Sequence, residues 1–267
     1  MTIRRSAHSH HSLLSPDPWQ SLSVSQPKSP FVEQPVPVDT WFSRLLARRS
    51  THRFSFLLIS LILLIAFHPF YDETAVRGVI AVRLFTTLVL LSGVYAVADS
   101  RRRLAIAVLF AVPMLLSGWL YVIRSATMLR LLNHIFSLLF FASVTVMVLL
   151  EVLRARRVTA DVVFGAVCVY LLLGVAWSTA YSLTADVVPG SFTVDPAHDL
   201  DGSLTSQDLF YYSFVTLTTA GYGDITPLSS VARTLSMMEA VCGVLFVAVL
   251  IARMVGGMGG GREQQED

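Results

Sequence analysis

The chain has 267 residues, of which 54% are hydrophobic and 14% are charged, and its mean hydropathy is +0.63. This composition excludes an ordinary soluble domain and indicates several membrane-spanning helices. The formal net charge of +2 gives no basis for a nucleic-acid partner.

The first 50 residues form a polar region that we predict to be cytoplasmic. Residues 1–38 are rich in Ser, Pro and His and lack apolar periodicity, which indicates a disordered tail. No apolar segment follows Arg4 and Arg5, so no secretory signal is predicted. Residues 40–49 place apolar and Arg side chains largely on different helical faces, which is typical of an interfacial helix.

Six apolar segments follow, and each is close to the ~20 residues that a helix needs to cross ~30 Å of hydrocarbon. They lie at 54–70, 79–98, 104–123, 131–150, 162–183 and 234–255. Cys168 and Cys242 fall inside the last two segments. We interpret them as small buried side chains rather than as a disulfide or a metal site.

The distribution of arginine among the loops predicts the orientation. Residues 44–53, 99–103 and 154–157 hold four, three and three Arg, whereas the alternate loops hold fewer. Because cytoplasmic loops carry the excess of positive charge, both termini are placed in the cytoplasm. The chain is then a multi-pass protein of the cell membrane, and the loop at 184–233 faces outside.

The fourth apolar segment lacks the charge pattern of a voltage sensor. A sensor needs Arg or Lys at every third residue, and here that series reads Arg124, Thr127, Arg130, Asn133 and Phe136. Each charge that crosses the whole membrane field contributes about 2.3 kcal/mol per 100 mV, so two charges that cross part of it give weak voltage dependence at best. We therefore predict that residues 51–158 form a four-helix transmembrane domain that does not sense voltage.

Residues 219–223 read Thr-Ala-Gly-Tyr-Gly and carry the most informative functional signal in the chain. This run resembles the Thr-Val-Gly-Tyr-Gly selectivity filter of potassium channels, in which backbone carbonyls replace the water shell of K⁺. Successive carbonyls point one way only if the backbone alternates between ordinary and left-handed conformations. Glycine does so at little cost, which accounts for Gly221 and Gly223.

The resemblance implies a role for each residue of this segment. The five residues of the filter that would bind K⁺ are Thr219, Ala220, Gly221, Tyr222 and Gly223. The ion sites themselves would lie at the first four of these residues. Support of the filter is implied for Tyr211, Tyr212, Thr218 and Asp224. Ala220 departs from the usual Val or Ile, and Val215 stands where some members carry a pore-helix Glu that pairs with the filter Asp.

The flanking residues complete a predicted pore domain at 159–257, with an outer helix, a pore helix at 207–218, the filter and an inner helix. Gly243 lies 24 residues after Thr219, where simple bacterial potassium channels have the hinge glycine of the inner helix; alternatively it is a close-packing position. Glu239 is an ionisable residue inside a span and therefore a gating candidate. Its alternative role is to bond hydroxyl groups behind the filter.

Acidic and histidine residues elsewhere remain open to two interpretations. The acids of the outer loop at 184–206 either concentrate cations at the mouth or are simply solvated: Asp186, Asp195, Asp199 and Asp201. His68, His134 and His198 show no partner in the sequence, so a structural role is favoured over pH sensing.

The predicted fold class is an all-α membrane protein with six transmembrane helices, a re-entrant pore helix and a selectivity filter. One filter strand per chain requires four chains around one axis, so we expect a homotetramer surrounded by membrane lipids. The expected function is passive, selective permeation of K⁺ without a cofactor; no nucleophile–base pair or phosphate loop suggests an enzyme. Residues 258–267 would form a short cytoplasmic tail.

Three other functions stay open at this point. The first is a weakly selective cation channel, because Ala220 packs the filter less tightly than Val. The second is a non-conducting modulatory subunit of a heteromeric channel. The third is the membrane subunit of a K⁺ transporter, although such subunits normally carry four degenerate repeats and this chain carries one.

Overall fold

The described part of the chain is built almost entirely of α-helices. The computed structural model describes residues 53–67, 76–124, 126–155, 159–195 and 204–259. The predicted disordered tail and interfacial helix lie outside these ranges, as do residues 260–267 of the predicted C-terminal tail and His68, His198, Asp199 and Asp201. The predicted all-α class is confirmed for the described residues.

Seven helices and two short strands make up the described elements. In chain order they are α1 (Arg53–Phe67), α2 (Val76–Val97), α3 (Arg101–Arg124), α4 (Thr127–Arg154), α5 (Ala160–Val187), β1 (Phe192–Val194), α6 (Ser206–Leu217), β2 (Ile225–Pro227) and α7 (Ser230–Gly259). Five of the helices are long and apolar enough to cross a membrane: α2, α3, α4, α5 and α7. The remaining predicted span, which is the first in chain order at 54–70, corresponds to α1. This helix is apolar but has 15 described residues.

The helix α5 is the centre of the packing, because α1, α4, α6 and α7 all contact it. Gly165 of α5 allows a close approach to two of these helices. A Cβ atom there would lie 2.9 Å from a methyl group of Val152 in α4 and 3.0 Å from the Phe54 ring in α1. Cys168 is buried in this region and Cys242 is partly buried, and both are free thiols. Of the first four helices, α1 and α4 therefore make the main contacts with α5.

The short helix α6 starts at a capping box. The Thr205 hydroxyl accepts a hydrogen bond from the Asp208 amide at 3.2 Å, and the Asp208 carboxylate accepts one from the Thr205 amide at 2.8 Å. Such reciprocal bonds satisfy amide groups that the first helical turn leaves without partners. They fix where α6 begins, and therefore where residues 218–223 follow it.

Strands β1 and β2 form a small antiparallel sheet that the sequence analysis did not predict. Phe192 pairs with Pro227 and Val194 pairs with Ile225. The side chains of Phe192 and Ile225 are buried in a cluster with Tyr181 of α5. The sheet thereby ties the segment after the filter to the loop that follows α5.

Ion pairs join the helices at both ends of the bundle. Near one end, Arg53 pairs with Asp99 and Glu151, and Arg103 pairs with Glu151 at 2.8 Å. Near the other end, Asp186 accepts from Arg130 at 3.0 Å and lies 2.9 Å from Nδ1 of His134. These pairs connect elements that lie far apart in the sequence.

Two expectations for this region are therefore corrected. Asp186 does not belong to a solvated loop, because α5 extends to Val187 and its last turn is held by the contacts to α4. His134 does have a partner, although that partner lies 52 residues further along the chain.

Candidate functional site

The backbone after α6 alternates in handedness. Three residues at every second position have a positive φ angle, namely Thr219 (φ 59°), Gly221 (φ 53°) and Gly223 (φ 81°). Thr219 is the non-glycine residue with positive φ among the described residues. Left-handed backbone is costly for a residue with a Cβ atom, so such a conformation at Thr219 needs support from its surroundings.

Hydrogen bonds from the end of α6 supply part of that support. The Thr219 amide donates to the Thr216 carbonyl at 2.9 Å, and the Ala220 amide donates to the Val215 carbonyl at 2.9 Å. The Gly221 amide also lies 3.4 Å from the Val215 carbonyl oxygen. The amides at the start of the 219–223 segment are thus turned back toward α6, and their carbonyls are left free of these bonds.

The two glycines are required by conformation and not by space. No other heavy atom lies within 4 Å of the place where a Cβ atom would stand at Gly221 or Gly223. Residues 218–223 are exposed in the single chain, and Tyr222 is 73% exposed. The Tyr222 side chain is therefore not packed against other residues of the same chain.

The four predicted support residues occupy different environments. Tyr212 is buried; its hydroxyl is 2.7 Å from Oγ of Ser236 in α7, and its ring lies edge-on to the Tyr181 ring with centroids 5.1 Å apart. Tyr211 is 40% exposed. The Thr218 hydroxyl donates to the Phe214 carbonyl at 2.7 Å and so closes the last turn of α6.

Asp224 follows the filter and fixes its outer end. Its carbonyl accepts from the Asp195 amide at 2.8 Å, and its carboxylate accepts from the Ile225 amide at 3.1 Å. Partial burial, followed by the hydrogen bond and the charge of Asp224, raises the pKa of the Tyr211 phenol to about 12. Asp195, Asp224 and the two exposed tyrosines line an open cavity of about 410 Å³ at this end of the filter. Two carboxylates thus line the cavity beside residues 222–224.

Both long helices of the pore domain hold α6 closely. A Cβ atom at Gly243 of α7 would collide with the Leu217 carbonyl oxygen at the end of α6. A Cβ atom at Gly174 of α5 would lie 2.7 Å from the Phe214 ring. The absence of side chains at these two glycines allows α6 to fit between α5 and α7.

The Glu239 side chain lies behind α6 and is fully buried. Oε2 accepts a hydrogen bond from the Tyr181 hydroxyl at 2.5 Å, and Oε1 is 2.5 Å from Oγ of Ser213. The sequence analysis did not identify Tyr181 or Ser213. Ser213 has a signal that was available in the sequence, because it stands between Leu209 and Leu217 at the four-residue spacing of one helical face. A polar residue on such a buried face requires a partner.

Comparison with known proteins identifies the segment that contains this site. Residues 162–256 match the family model described as an ion channel. These residues are an ion-channel domain. The resemblance seen in the filter motif is therefore confirmed for residues 162–256, and this segment is similar to channels rather than to enzymes.

Relatives of this ion-channel domain come from bacteria and plants. The inward rectifier potassium channel Kirbac3.1 of Paramagnetospirillum magnetotacticum is 36% identical over 84 residues, which are 30% of this chain and 24% of that protein. Two pore potassium channel c of Oryza sativa subsp. japonica is 36% identical over 88 residues, or 32% of this chain and 16% of that protein. Protein LctB of Bacillus caldotenax is 29% identical over 114 residues, which are 42% of this chain and 84% of that protein. The chain thus spans a quarter or less of the length of the first two.

Proposed function

We propose that this chain is a subunit of a potassium-selective channel that conducts K⁺ passively across the cell membrane. The observation that carries the proposal is the left-handed backbone at every second residue of the 219–223 segment, directly after the end of a short helix. Alternating handedness turns successive carbonyl oxygens toward one side, and such oxygens can replace the hydration shell of K⁺. The similarity of the domain to potassium channels supports the same ion.

The electrostatics of the site favour a cation on both sides of this segment. The C-terminal end of α6 lies at Leu217, so the negative end of its dipole is directed toward the start of the filter. At the other end, Asp195 and Asp224 line the open cavity. K⁺ would bind at Thr219, Ala220, Gly221 and Tyr222, with Gly223 completing the filter.

A homotetramer is part of the proposal, because one chain supplies one row of carbonyl oxygens and a cage around K⁺ needs four. The single chain leaves the filter exposed, together with one apolar side of α7. Exposed apolar residues on this helix include Met237, Met238, Val241, Val244 and Leu245. In a tetramer these side chains would contact neighbouring subunits or lipid tails. The arginine distribution supports cytoplasmic termini.

We further propose that voltage does not gate the channel steeply. Arg130 is bound to Asp186 at 3.0 Å, and the helix α4 continues for 24 residues beyond it without another Arg until its last turn. In the third-residue series from 124 to 136, the described residues thus include two cations, Arg124 and Arg130. Moving them through part of the field gives too little energy for a steep response.

The experiment that tests the function compares K⁺ and Na⁺ flux through the purified protein in liposomes. We expect K⁺ flux that Ba²⁺ blocks and little Na⁺ flux. Equal fluxes of both ions would support a weakly selective cation channel instead. Tetramers that carry no flux would contradict conduction and support a modulatory subunit.

A further inference from the structure

The buried carboxyl group of Glu239 lies where three helices meet: α5, the short helix α6 and α7. Glu239 lies on α7, Tyr181 on α5 and Ser213 on α6. The Glu239 side chain has no exposed surface, and it forms no ion pair with any Arg or Lys of the described residues. An ionised carboxylate without a cation is costly in such a place.

Three short contacts around this group define its hydrogen-bonding pattern. The Tyr181 hydroxyl lies 2.5 Å from Oε2 of Glu239, and the Ser213 hydroxyl lies 2.5 Å from Oε1. The Ser213 hydroxyl also lies 2.8 Å from the carbonyl oxygen of Gly174 in α5. All three distances are those of O–H···O hydrogen bonds.

Counting protons shows what these contacts require. Tyr181 and Ser213 each provide one hydroxyl proton, and the Gly174 carbonyl can only accept. Three two-centre hydrogen bonds need three protons, so two hydroxyl groups cannot form all of them without sharing one proton between two acceptors. The Glu239 carboxyl is the group among the four that can supply the third proton.

We propose that Glu239 is a neutral carboxylic acid that positions the pore helix through a relay of hydrogen bonds. Tyr181 donates to Oε2, and the protonated Oε1 donates to the Ser213 hydroxyl, which in turn donates to the Gly174 carbonyl. The relay joins α7 to α5 through the middle of α6, one helical turn before the Leu217 carbonyl that contacts Gly243. Glu239 is a positioning residue, since it lies behind α6 and not on the ion path.

The alternative is an ionised Glu239 that accepts from both hydroxyls. In that case no separate proton lies between the Ser213 hydroxyl oxygen and the Gly174 carbonyl oxygen, which are 2.8 Å apart. The titratable groups that interact with Glu239 are Tyr170 and Tyr181, both on α5, and neither is a cation. The two arrangements therefore differ by one proton on Glu239, which can be observed directly.

Infrared spectroscopy of the full-length protein in lipid at neutral pH tests the protonation. We expect the C=O band of a protonated carboxyl group in the wild-type spectrum and its loss in Glu239→Gln. The Tyr181→Phe variant should keep the band but shift it, because the carbonyl oxygen loses its donor. A wild-type spectrum without this band, or a band that persists in Glu239→Gln, overturns the proposal. This measurement does not depend on conduction, so it stands apart from any failure of the proposed function.

A comparison of variants tests the positioning role, and this part rests on the proposed function. A glutamine at 239 has a carbonyl oxygen that can accept from Tyr181 and an NH₂ group that can donate to Ser213, the two bonds that the neutral acid makes, so Glu239→Gln should keep the ratio of K⁺ to Na⁺ flux within about twofold. Glu239→Leu and Ser213→Ala leave buried polar groups without partners, so the ratio should fall by about fivefold or more. Ser178→Ala is the matched control, because it removes a buried serine hydroxyl of α5 whose hydrogen bond stays within that helix, to the Val175 carbonyl at 2.8 Å.

The pattern of these variants decides the positioning role. Rescue by Gln relative to Leu, with an unchanged infrared band in Ser178→Ala, supports the relay. Equal losses of selectivity in Glu239→Gln and Glu239→Leu would overturn it. If Glu239→Leu does not assemble, the comparison of Ser213→Ala with Ser178→Ala gives the same decision.

Discussion

Replacing Gly221 with alanine tests the alternating backbone of the filter. Gly221 has φ +53°, and no other heavy atom lies within 4 Å of the place where its Cβ atom would stand. The substitution therefore adds strain in the backbone without a collision. A left-handed L-residue costs about 1–2 kcal/mol, and four copies in a tetramer cost about 4–8 kcal/mol.

That strain should act on conduction. If alanine shifts residue 221 to negative φ, the Ala220 carbonyl turns away from the ion path and one ring of four oxygens is lost. A cost of about 4 kcal/mol lowers the population of the conducting filter about a thousandfold. We therefore expect Gly221→Ala to abolish K⁺ flux in liposomes while membrane insertion and the tetramer, measured by size, are retained.

Gly190 provides a matched control for this prediction. It also has a left-handed backbone, with φ +77° and open space around its missing Cβ atom, but it lies in the loop before β1. Gly190→Ala should carry a similar strain and preserve K⁺ flux. Equal loss of flux in both variants would mean that strain in general, and not the filter carbonyls, matters. Unchanged flux in Gly221→Ala would refute the assignment of the filter.

Three further predictions concern packing, voltage and pH. Gly243→Ala should lower the free energy of unfolding by about 1–3 kcal/mol, because the new Cβ atom meets a backbone oxygen. Gly93→Ala is the control, because the nearest atom to its new Cβ atom is at 3.4 Å. Thermal unfolding should therefore show a lower midpoint for Gly243→Ala than for Gly93→Ala. Neutralising Arg124 and Arg130 together should leave the conductance–voltage curve shallow, and a steep curve that flattens in this variant would contradict us. The pKa of Tyr211 is raised from its ordinary value of 10 to about 12. Because the folded state holds this proton longer, stability should fall as pH rises from 10 to 12, and replacement by Phe should remove that part of the fall.

Local chemistry explains why much of the pore domain could be predicted. Membrane helices depend on runs of apolar residues, and five of the six predicted segments correspond to helices of spanning length. The left-handed backbone at Gly221 and Gly223 was also predictable, because glycine alone adopts it at little cost. The positive φ of Thr219 was not, since a threonine favours the opposite sign and is held only by bonds to the end of α6.

The sequence by itself therefore determined the helices of spanning length and the left-handed backbone at Gly221 and Gly223, because each depends on the properties of neighbouring residues. The tertiary structure alone decided that Asp186 meets His134 across 52 residues, and that Glu239 meets Ser213 and Tyr181 across 26 and 58 residues. These pairs form because packed helices bring polar groups together where water is absent. No local pattern in the chain specifies which buried hydroxyl will face which carboxyl.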